Sequence, residues 1–424
     1  MADTPFRLVI EERGAGQYLV QHGTTSSMTT FAITAELLKD IRDLSARPPD
    51  GFGDVKTQEA CARRVGKVLA AMLFGGGLRR DFDDYLDEVD KPRIVLRLPP
   101  TLYWLPWEVL YLDGQKHFFS LQGSVIREHT ETSSGAPRSN RLFTPIPPSG
   151  VLHCVLAKAS PEERPLPGFT LASIPRVQID DVKPPTFDAF KTALRPGPRT
   201  VVFYGHGDIA EGAPPAEGTI LVFVREERTD NVVSYVSDNI PAHVAANALF
   251  QPPKGKTVQL ACLLACESAW ASRAGSFDRS IVGSILERTY IDLVIGAQTE
   301  IHYLAARAFL GGMLKALSEG TPIDLAVSEG RKATTELHDR DRSKRFAPLD
   351  WWVPVLYTRA DCPWEVFSAP SDLFVEVPTG TPGVVDLPAW HVSDIGATPI
   401  ALARALTSAL TRRVPTVRDI LDLR

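Results

Sequence analysis

Cysteine is scarce in this chain, which limits both covalent cross-linking and metal chemistry. Its 424 residues include five cysteines, an odd number scattered along the sequence: Cys61, Cys154, Cys262, Cys266 and Cys362. That pattern does not fit a disulfide framework. No pair has the short spacing of a zinc site together with a second Cys or His pair that would complete it. We therefore expect reduced thiols and no metal site.

The chain also lacks an excess of charge and any long apolar segment. Lys and Arg number 46 against 51 Asp and Glu, a formal net charge of -5, so composition offers no case for nucleic-acid or anionic-membrane binding. No segment reaches the roughly 20 uncharged apolar residues of a spanning helix, and the first residues show no secretory pattern. We expect a cytoplasmic protein without a nucleic-acid or membrane partner.

Two familiar catalytic motifs are missing as well. The sequence contains no GxSxG, the sharp turn that presents the serine of many α/β hydrolases. It also contains no GxxxxGK[ST] loop, whose backbone amides would hold nucleotide phosphates. A serine hydrolase and a nucleotide hydrolase therefore have no support, and we expect no cofactor.

The first part of the chain, residues 1–145, predicts an α+β unit. Extended stretches are followed by helical periodicity over 58–74, and Asp113 and Gly114 between two extended runs predict a hairpin. Four neighbouring aromatic residues, Tyr103, Trp104, Trp107 and Tyr111, are interpreted as core, since large rings beside strand residues are usually buried. A connector rich in Ser, Thr, Pro and Gly follows over 130–150.

The second part, residues 146–368, alternates strand-like and helix-like segments. This alternation predicts an α/β fold with a mostly parallel sheet sandwiched by helices. The last strand contains Pro354, which suggests an edge position because proline cannot donate to a ladder. The third part, residues 369–424, is Pro- and Gly-rich before an amphipathic end. We interpret it as a helical extension, either a docking or autoinhibitory element or helices packed on the preceding part.

Two strand-like runs of the second part end in reactive side chains. The run TVQLACLLACESA ends its apolar stretch at Cys266, and TVVFYGHG ends at His206 between two glycines. Groups at the carboxyl ends of parallel strands gather at one edge of a sheet, and a nearby imidazole favours the nucleophilic thiolate. The alternative is that Cys266 is a small buried residue and His206 caps a turn. Cys262, in the middle of its run, is interpreted as inert core.

The paired motifs resemble a known family. FYGHG and LLACESA, together with LPWEVLY in the first part and IDLVIGAQTEIHYL after the cysteine motif, resemble the CHAT domain, a caspase-like and separase-like group of cysteine peptidases. The resemblance implies a caspase-like sheet preceded by an α+β half, with His206 and Cys266 as the catalytic pair. It further implies that the backbone N–H groups of Gly207 and Cys266 hold the oxyanion.

The same resemblance implies a function. It points to a cysteine endopeptidase that cleaves a protein substrate, latent until a partner protein activates it, in a bacterial defence or signalling system. The alternative from a different class is a catalytically inactive CHAT-like scaffold for protein interaction.

Three residues are candidates for a substrate pocket. Relatives that cut next to charged residues often carry Gln or Asp two positions before the nucleophile, where this chain has Leu264. Asp208 and Glu267 are acidic residues next to the two motifs and would attract a basic side chain. Because of Leu264, we expect an uncharged or apolar residue on the acyl side of the cut.

Overall fold

The structure is a computed structural model. It describes residues 4–14, 16–31, 33–45, 55–129, 146, 150–158, 174–209, 219–229, 232–249, 258–269, 277–289, 291–340, 350–359 and 366. The predicted helical extension at 369–424, most of the predicted connector at 130–150, and Cys362 lie outside these residues.

The strands of the described residues are numbered in chain order. They are β1 (Phe6–Gly14), β2 (Gln17–His22), β3 (Thr25–Thr30), β4 (Arg93–Arg97), β5 (Ser124–His129), β6 (Leu152–Lys158), β7 (Val177–Asp181), β8 (Thr200–Gly205), β9 (Gly207–Ile209), β10 (Thr219–Thr229), β11 (Val232–Pro241), β12 (Leu260–Ala265), β13 (Leu293–Ala297) and β14 (Pro354–Arg359).

The α-helices of the same residues are numbered in the same way. They are α1 (Ala35–Ser45), α2 (Val55–Leu73), α3 (Gly77–Glu88), α4 (Phe119–Gln122), α5 (Phe187–Leu194), α6 (Ala242–Leu249), α7 (Ile281–Arg288), α8 (Tyr303–Ser318) and α9 (Ile323–Arg340). Within the described ranges, no helix combines the length and apolar character that a membrane crossing requires.

Eleven of the described strands form one mixed sheet flanked by helices. Their order is β3-β2-β1-β4-β5-β14-β13-β12-β8-β6-β7. The antiparallel neighbours are β1–β2, β2–β3 and β13–β14, and the other neighbours run parallel. The predicted fold class, α/β with a mostly parallel sheet sandwiched by helices, is confirmed.

Burial explains why the central strands read as continuous apolar runs. All six residues of β12 and all five of β13 are buried. A strand covered on both faces has no solvent side, so it needs no alternating polar residues. In β3, at the end of the sheet, exposed and half-buried residues alternate, as expected for a strand with one face toward water.

A second, small antiparallel sheet has the order β11-β10-β9. β10 and β11 pair from Ile220 with Pro241 to Thr229 with Val232. β9 follows β8 after a single residue, His206, and pairs with the start of β10. The histidine therefore lies at the junction of the two sheets.

Two local predictions in the chain are wrong. β14 lies between β13 and β5 in the middle of the sheet, so Pro354 does not mark an edge. It is the first residue of its strand, a position that also tolerates a missing donor. Asp113 and Gly114 form a turn, but a short 3₁₀ helix and α4 flank it instead of two paired strands.

The predicted aromatic core is confirmed for Tyr103, Trp107 and Tyr111, which are buried. Trp104 is partly buried and contacts this core from its edge. Strands from residues 1–145 and from 146–368 share the large sheet and meet where β5 pairs with β14. The boundary between these two parts stays a prediction.

Candidate active site

The residues His206 and Cys266 follow two neighbouring strands that end together. β8 and β12 pair in parallel, and the last pair in their register is Gly205 with Ala265. The next residue on each strand is the predicted one, so His206 and Cys266 follow side by side at the carboxyl edge of the sheet. Adjacent strands lie about 4.8 Å apart. His206 is exposed and Cys266 half-buried, so solvent reaches both residues.

Gly207 packs against the backbone of the cysteine. A Cβ atom at this position would lie 2.4 Å from the carbonyl oxygen of Cys266 and 3.1 Å from the Cβ of Ala265. A Cβ atom cannot lie 2.4 Å from a carbonyl oxygen, so only glycine fits at this position. The close approach at this glycine is therefore to the chain beside the cysteine.

The register of β9 leaves the N–H of Gly207 outside the ladder. Gly207 faces Leu221, and the N–H of Val222 donates to the carbonyl of His206 at 3.0 Å. This bond makes Gly207 and Leu221 a pair that exchanges no hydrogen bonds, since antiparallel ladders alternate between bonded and non-bonded pairs. The N–H of Gly207 therefore points away from β10, and that of Val222 fixes the histidine backbone.

A tight turn follows the cysteine. Glu267 has φ 58°, in the left-handed region that non-glycine residues rarely adopt. Its N–H donates to the carbonyl of Thr299 at 3.3 Å, and the N–H of Ala269 donates to that of Ala297 at 2.9 Å. These bonds hold the strained turn against the end of β13.

Ser268 joins the turn to both strands through its side chain. Its hydroxyl donates to the carbonyl of Leu263 at 2.7 Å and accepts from the N–H of Ala297 at 2.9 Å. The side chain is fully buried. Sequence reasoning gave this residue no role, although a serine in the turn after an apolar strand was a signal for such a bond.

The other described cysteines are unsuited to nucleophilic chemistry. Cys262 and Cys154 are buried in the sheet, where desolvation raises the pKa of both thiols, that of Cys154 to about 12. Burial also raises the pKa of Cys61. Because the thiolate is the attacking species, these groups stay inert at neutral pH. The prediction that Cys262 is core is confirmed by its position in β12.

The three pocket candidates occupy different places. Leu264 is 1% exposed and belongs to the hydrophobic core. Asp208 is the middle residue of β9 and pairs with Ile220. Glu267 forms the strained turn just described. Their roles in substrate recognition stay predictions.

One acidic cluster away from this edge already has its counter-charge. Asp40, Asp43 and Cys61 place possible ligand atoms within 4.8 Å of one another. However, the guanidinium of Arg64 donates to both carboxylate oxygens of Asp40, at 2.9 and 2.6 Å. The cation at this cluster is therefore an arginine.

Fold and site together define an α/β protein with a thiol and an imidazole at the ends of adjacent parallel strands. Residues 63–359 match the CHAT domain, and the chain belongs to the CHAT domain family. No curated protein sequence matches the chain.

Similar solved structures are distant. A chain of the Saccharomyces cerevisiae separase–securin complex is 12% identical with a TM-score of 0.37, and the match covers 79% of this protein and 21% of that chain. The complex of pro- and mature domains of Porphyromonas gingivalis RgpB is 12% identical with a TM-score of 0.41, covering 79% of this protein and 78% of that chain. This protein therefore spans about a fifth of the matched separase–securin chain.

Proposed function

We propose that this protein is a cysteine endopeptidase in which Cys266 is the nucleophile and His206 its general base. The observation that carries the proposal is the register of β8 and β12, whose last pair, Gly205 with Ala265, makes the two residues neighbours. A thiol and an imidazole in this relation are the parts of a cysteine hydrolase.

The chemistry follows from these two groups. The imidazole takes the proton of the Cys266 thiol, and the thiolate attacks the carbonyl carbon of a peptide bond. The protonated imidazole then gives its proton to the leaving amine, and water hydrolyses the resulting thioester. Histidine is the side chain most often used for such proton transfers.

Backbone amides would stabilise the negative charge that develops on the substrate oxygen. The N–H of Gly207, which does not donate to β10, and the N–H of Cys266 are the proposed donors. A preorganised donor of this kind is typically worth about 3 to 4 kcal/mol in the transition state. The packing of Gly207 on the Cys266 backbone keeps the two groups together.

The substrate and the control of cleavage are proposed from the family. The resemblance to the family supports a protein substrate, activation by a partner protein and a role in bacterial defence or signalling. We propose that the site cuts after an uncharged or apolar residue, since Leu264 stands where relatives that cut next to charged residues often carry Gln or Asp. Asp208 and Glu267 stay candidates for contact with the substrate. Full-rate cleavage by the protein alone would contradict control by a partner.

The test compares three alanine variants on a proteome-derived peptide library read by mass spectrometry. We expect Cys266→Ala and His206→Ala each to lower cleavage by about 1,000-fold or more, since each removes a group that takes part in bond breaking. Cys262→Ala is the matched control, because it removes a thiol from the same strand without touching the edge. Cleavage by Cys266→Ala at the wild-type rate would refute the assignment.

A thiol-reactive peptide probe separates an enzyme from an inactive scaffold. In a peptidase, the imidazole activates the thiol, so labelling of Cys266 needs His206 as well. If His206→Ala is labelled as fast as the wild type, and the wild type cleaves nothing even in an extract of the cells that supply its partners, the protein is a scaffold with a peptidase-like fold.

A further inference from the structure

The strand at one end of the large sheet has an open edge among the described residues. β3 pairs with β2 on one side, from Gln17 with Thr30 to His22 with Thr25, and no described strand pairs with its other side. An edge strand presents a row of backbone donors and acceptors to any strand that approaches it. The edge of β3 is therefore a place where a further strand can join the sheet.

The pairing with β2 shows which backbone groups of β3 point outward. The N–H of Phe31 donates to the carbonyl of Gly16 at 2.8 Å, so these two residues form a hydrogen-bonded pair. Bonded and non-bonded pairs alternate along an antiparallel ladder, so Thr30, Met28 and Ser26 are non-bonded positions whose N–H and C=O groups point away from β2. The side chains of these three residues are exposed, and that of Met28, at 58%, is the most exposed large hydrophobic side chain of the described residues.

β3 lacks the features that usually keep an edge strand from pairing, which are charged side chains, proline and bulges. Residues 14–35 contain no Asp, Glu, Lys or Arg, the longest such stretch in a chain that is 23% charged. β3 also has no proline, and its register with β2 is continuous. β7, at the other end of the sheet, differs because it ends in Asp180 and Asp181, whose side chains are 49% and 33% exposed. The edge of β7 is thus protected by charge, and that of β3 is not.

The sequence of β3 is complementary to itself. When two copies of the strand pair antiparallel around an axis at Met28, Met28 faces Met28 of the second copy, Ser27 faces Thr29, and Ser26 faces Thr30. In this register the three outward positions face one another and can exchange backbone hydrogen bonds. Small neutral side chains then face small neutral side chains, and no charge faces a like charge. A two-fold interface requires such self-complementarity, because both copies contribute the same surface.

We propose that β3 pairs with β3 of a second copy of this chain, so that the protein is a dimer in which the two large sheets join into one. A strand of another protein could use the same backbone groups, but this neutral edge has no charge that would select a foreign partner. Six strands separate β3 from β12, so the pairing leaves the edge that carries Cys266 open in both copies. The inference does not depend on the proposed function, because neither His206 nor Cys266 takes part in it.

Analytical ultracentrifugation of the full chain measures the dimer. The wild-type mass should approach twice 46.5 kDa as the concentration rises, because association follows mass action. Met28→Lys and Met28→Glu should each raise the dissociation constant about tenfold or more, since two like charges then face each other on the axis. An equimolar mixture of the two variants should recover the dimer, because unlike charges then meet. Only a residue that faces its own copy gives this recovery, so the mixture tests the register.

Three further variants separate charge, side chain and backbone. Ser26→Ala changes β3 without adding a charge, and Val151→Lys adds a charge at an apolar residue outside β3 that is 53% exposed, so both should dimerise within about twofold of wild type. Met28→Pro removes an N–H that points away from β2, so it keeps the pairing inside each copy and removes bonds on the axis. It should weaken the dimer as Met28→Lys does. Circular dichroism shows that each variant is folded.

Three outcomes would overturn the proposal. The first is a wild-type protein that stays monomeric at every concentration, whatever covers β3. The second is a dimer that persists in Met28→Lys and Met28→Pro, because such a dimer uses another surface. The third is a pair of monomeric charge variants that do not associate when mixed, since the two copies of Met28 then do not face each other.

Discussion

At the scale of single residues, Gly207 is the position with the least freedom at the candidate site. The constraint is steric, since the missing Cβ would lie 2.4 Å from the carbonyl oxygen of Cys266. That oxygen belongs to the backbone just after β12 and cannot rotate away as a flexible side chain would. The spacing between the histidine and cysteine segments therefore depends on this glycine.

We expect Gly207→Ala to destabilise the protein by about 1 to 3 kcal/mol, the usual cost of forcing extra atoms into a packed site. It should lower peptide cleavage more than this loss of stability explains, because the two catalytic segments must separate. Urea unfolding and cleavage of the peptide library measure the two effects. Gly14→Ala is the control, since a Cβ there would meet only a side-chain atom at 3.9 Å. Wild-type stability and cleavage in Gly207→Ala would contradict the steric argument.

The sequence indicated some residues of the site and not others. Cys266 and His206 stood out because an apolar run ends at each of them, which is a local feature. The positive φ of Glu267 had no such signal, since glutamate gives no preference for the left-handed region.

At the scale of elements, hydrogen bonds join the turn that follows β12 to the end of β13. The hydroxyl of Ser268 bridges the carbonyl of Leu263 and the N–H of Ala297 inside the protein. Next to it, a Cβ on Gly296 would lie 2.8 Å from the Cβ of Ala269, so the strand and the turn are in close contact. These hydrogen bonds and this close packing hold Cys266 at the edge of the sheet.

Ser268→Ala should lower the free energy of unfolding by about 1 to 3 kcal/mol. The variant leaves a buried N–H and a buried carbonyl without the hydroxyl that bridged them. Urea unfolding measures the loss, and Ser26→Ala, at an exposed position of β3, is the control. The rate of Cys266 alkylation should also rise as the turn loosens. A Ser268→Ala protein as stable as the Ser26→Ala protein would show that the bridge contributes nothing.

Strands could be predicted where the apolar pattern of the sequence matches the burial of the strand in the structure. β8, β12 and β13 are buried runs, and their apolar composition predicted strands because nothing else suits such residues at that length. The prediction from Pro354 failed because its strand lies between β13 and β5, and β5 comes more than 200 residues earlier in the chain. The local sequence shows that proline lacks an N–H donor, but it does not show which strands lie next to the strand that contains the proline.

At the scale of the whole molecule, the first third of the chain is bound to α9 by buried polar contacts. Asp324, near the start of α9, pairs with Arg93 of β4 at 3.1 Å and accepts a hydrogen bond from Ser124 of β5 at 2.7 Å. Ser328, one turn further on, donates to the carbonyl of Gly123. These contacts span some 200 residues of sequence, so no local pattern could predict them.

The same contacts predict how stability depends on pH. Burial raises the pKa of Asp324 above its ordinary value, and although Arg93 acts in the opposite direction, desolvation is the larger effect. The folded protein therefore holds this proton more tightly than the unfolded chain does. Between the ordinary aspartate pKa, about 4, and the raised one, this group makes the free energy of unfolding fall as pH rises.

We expect Asp324→Asn to remove that part of the pH dependence, because asparagine does not titrate. Urea unfolding of wild type and variant from about pH 3 to pH 7 measures it, and the variant should gain stability relative to wild type as pH rises through the window. Asp40→Asn is the contrasting variant: hydrogen bonds from Arg64 lower the pKa of Asp40, so its contribution is lost as pH falls. Removing Asp40 should therefore change the slope with the opposite sign. Parallel stability curves for wild type and Asp324→Asn across the whole range would mean that burial of this carboxyl does not govern its titration.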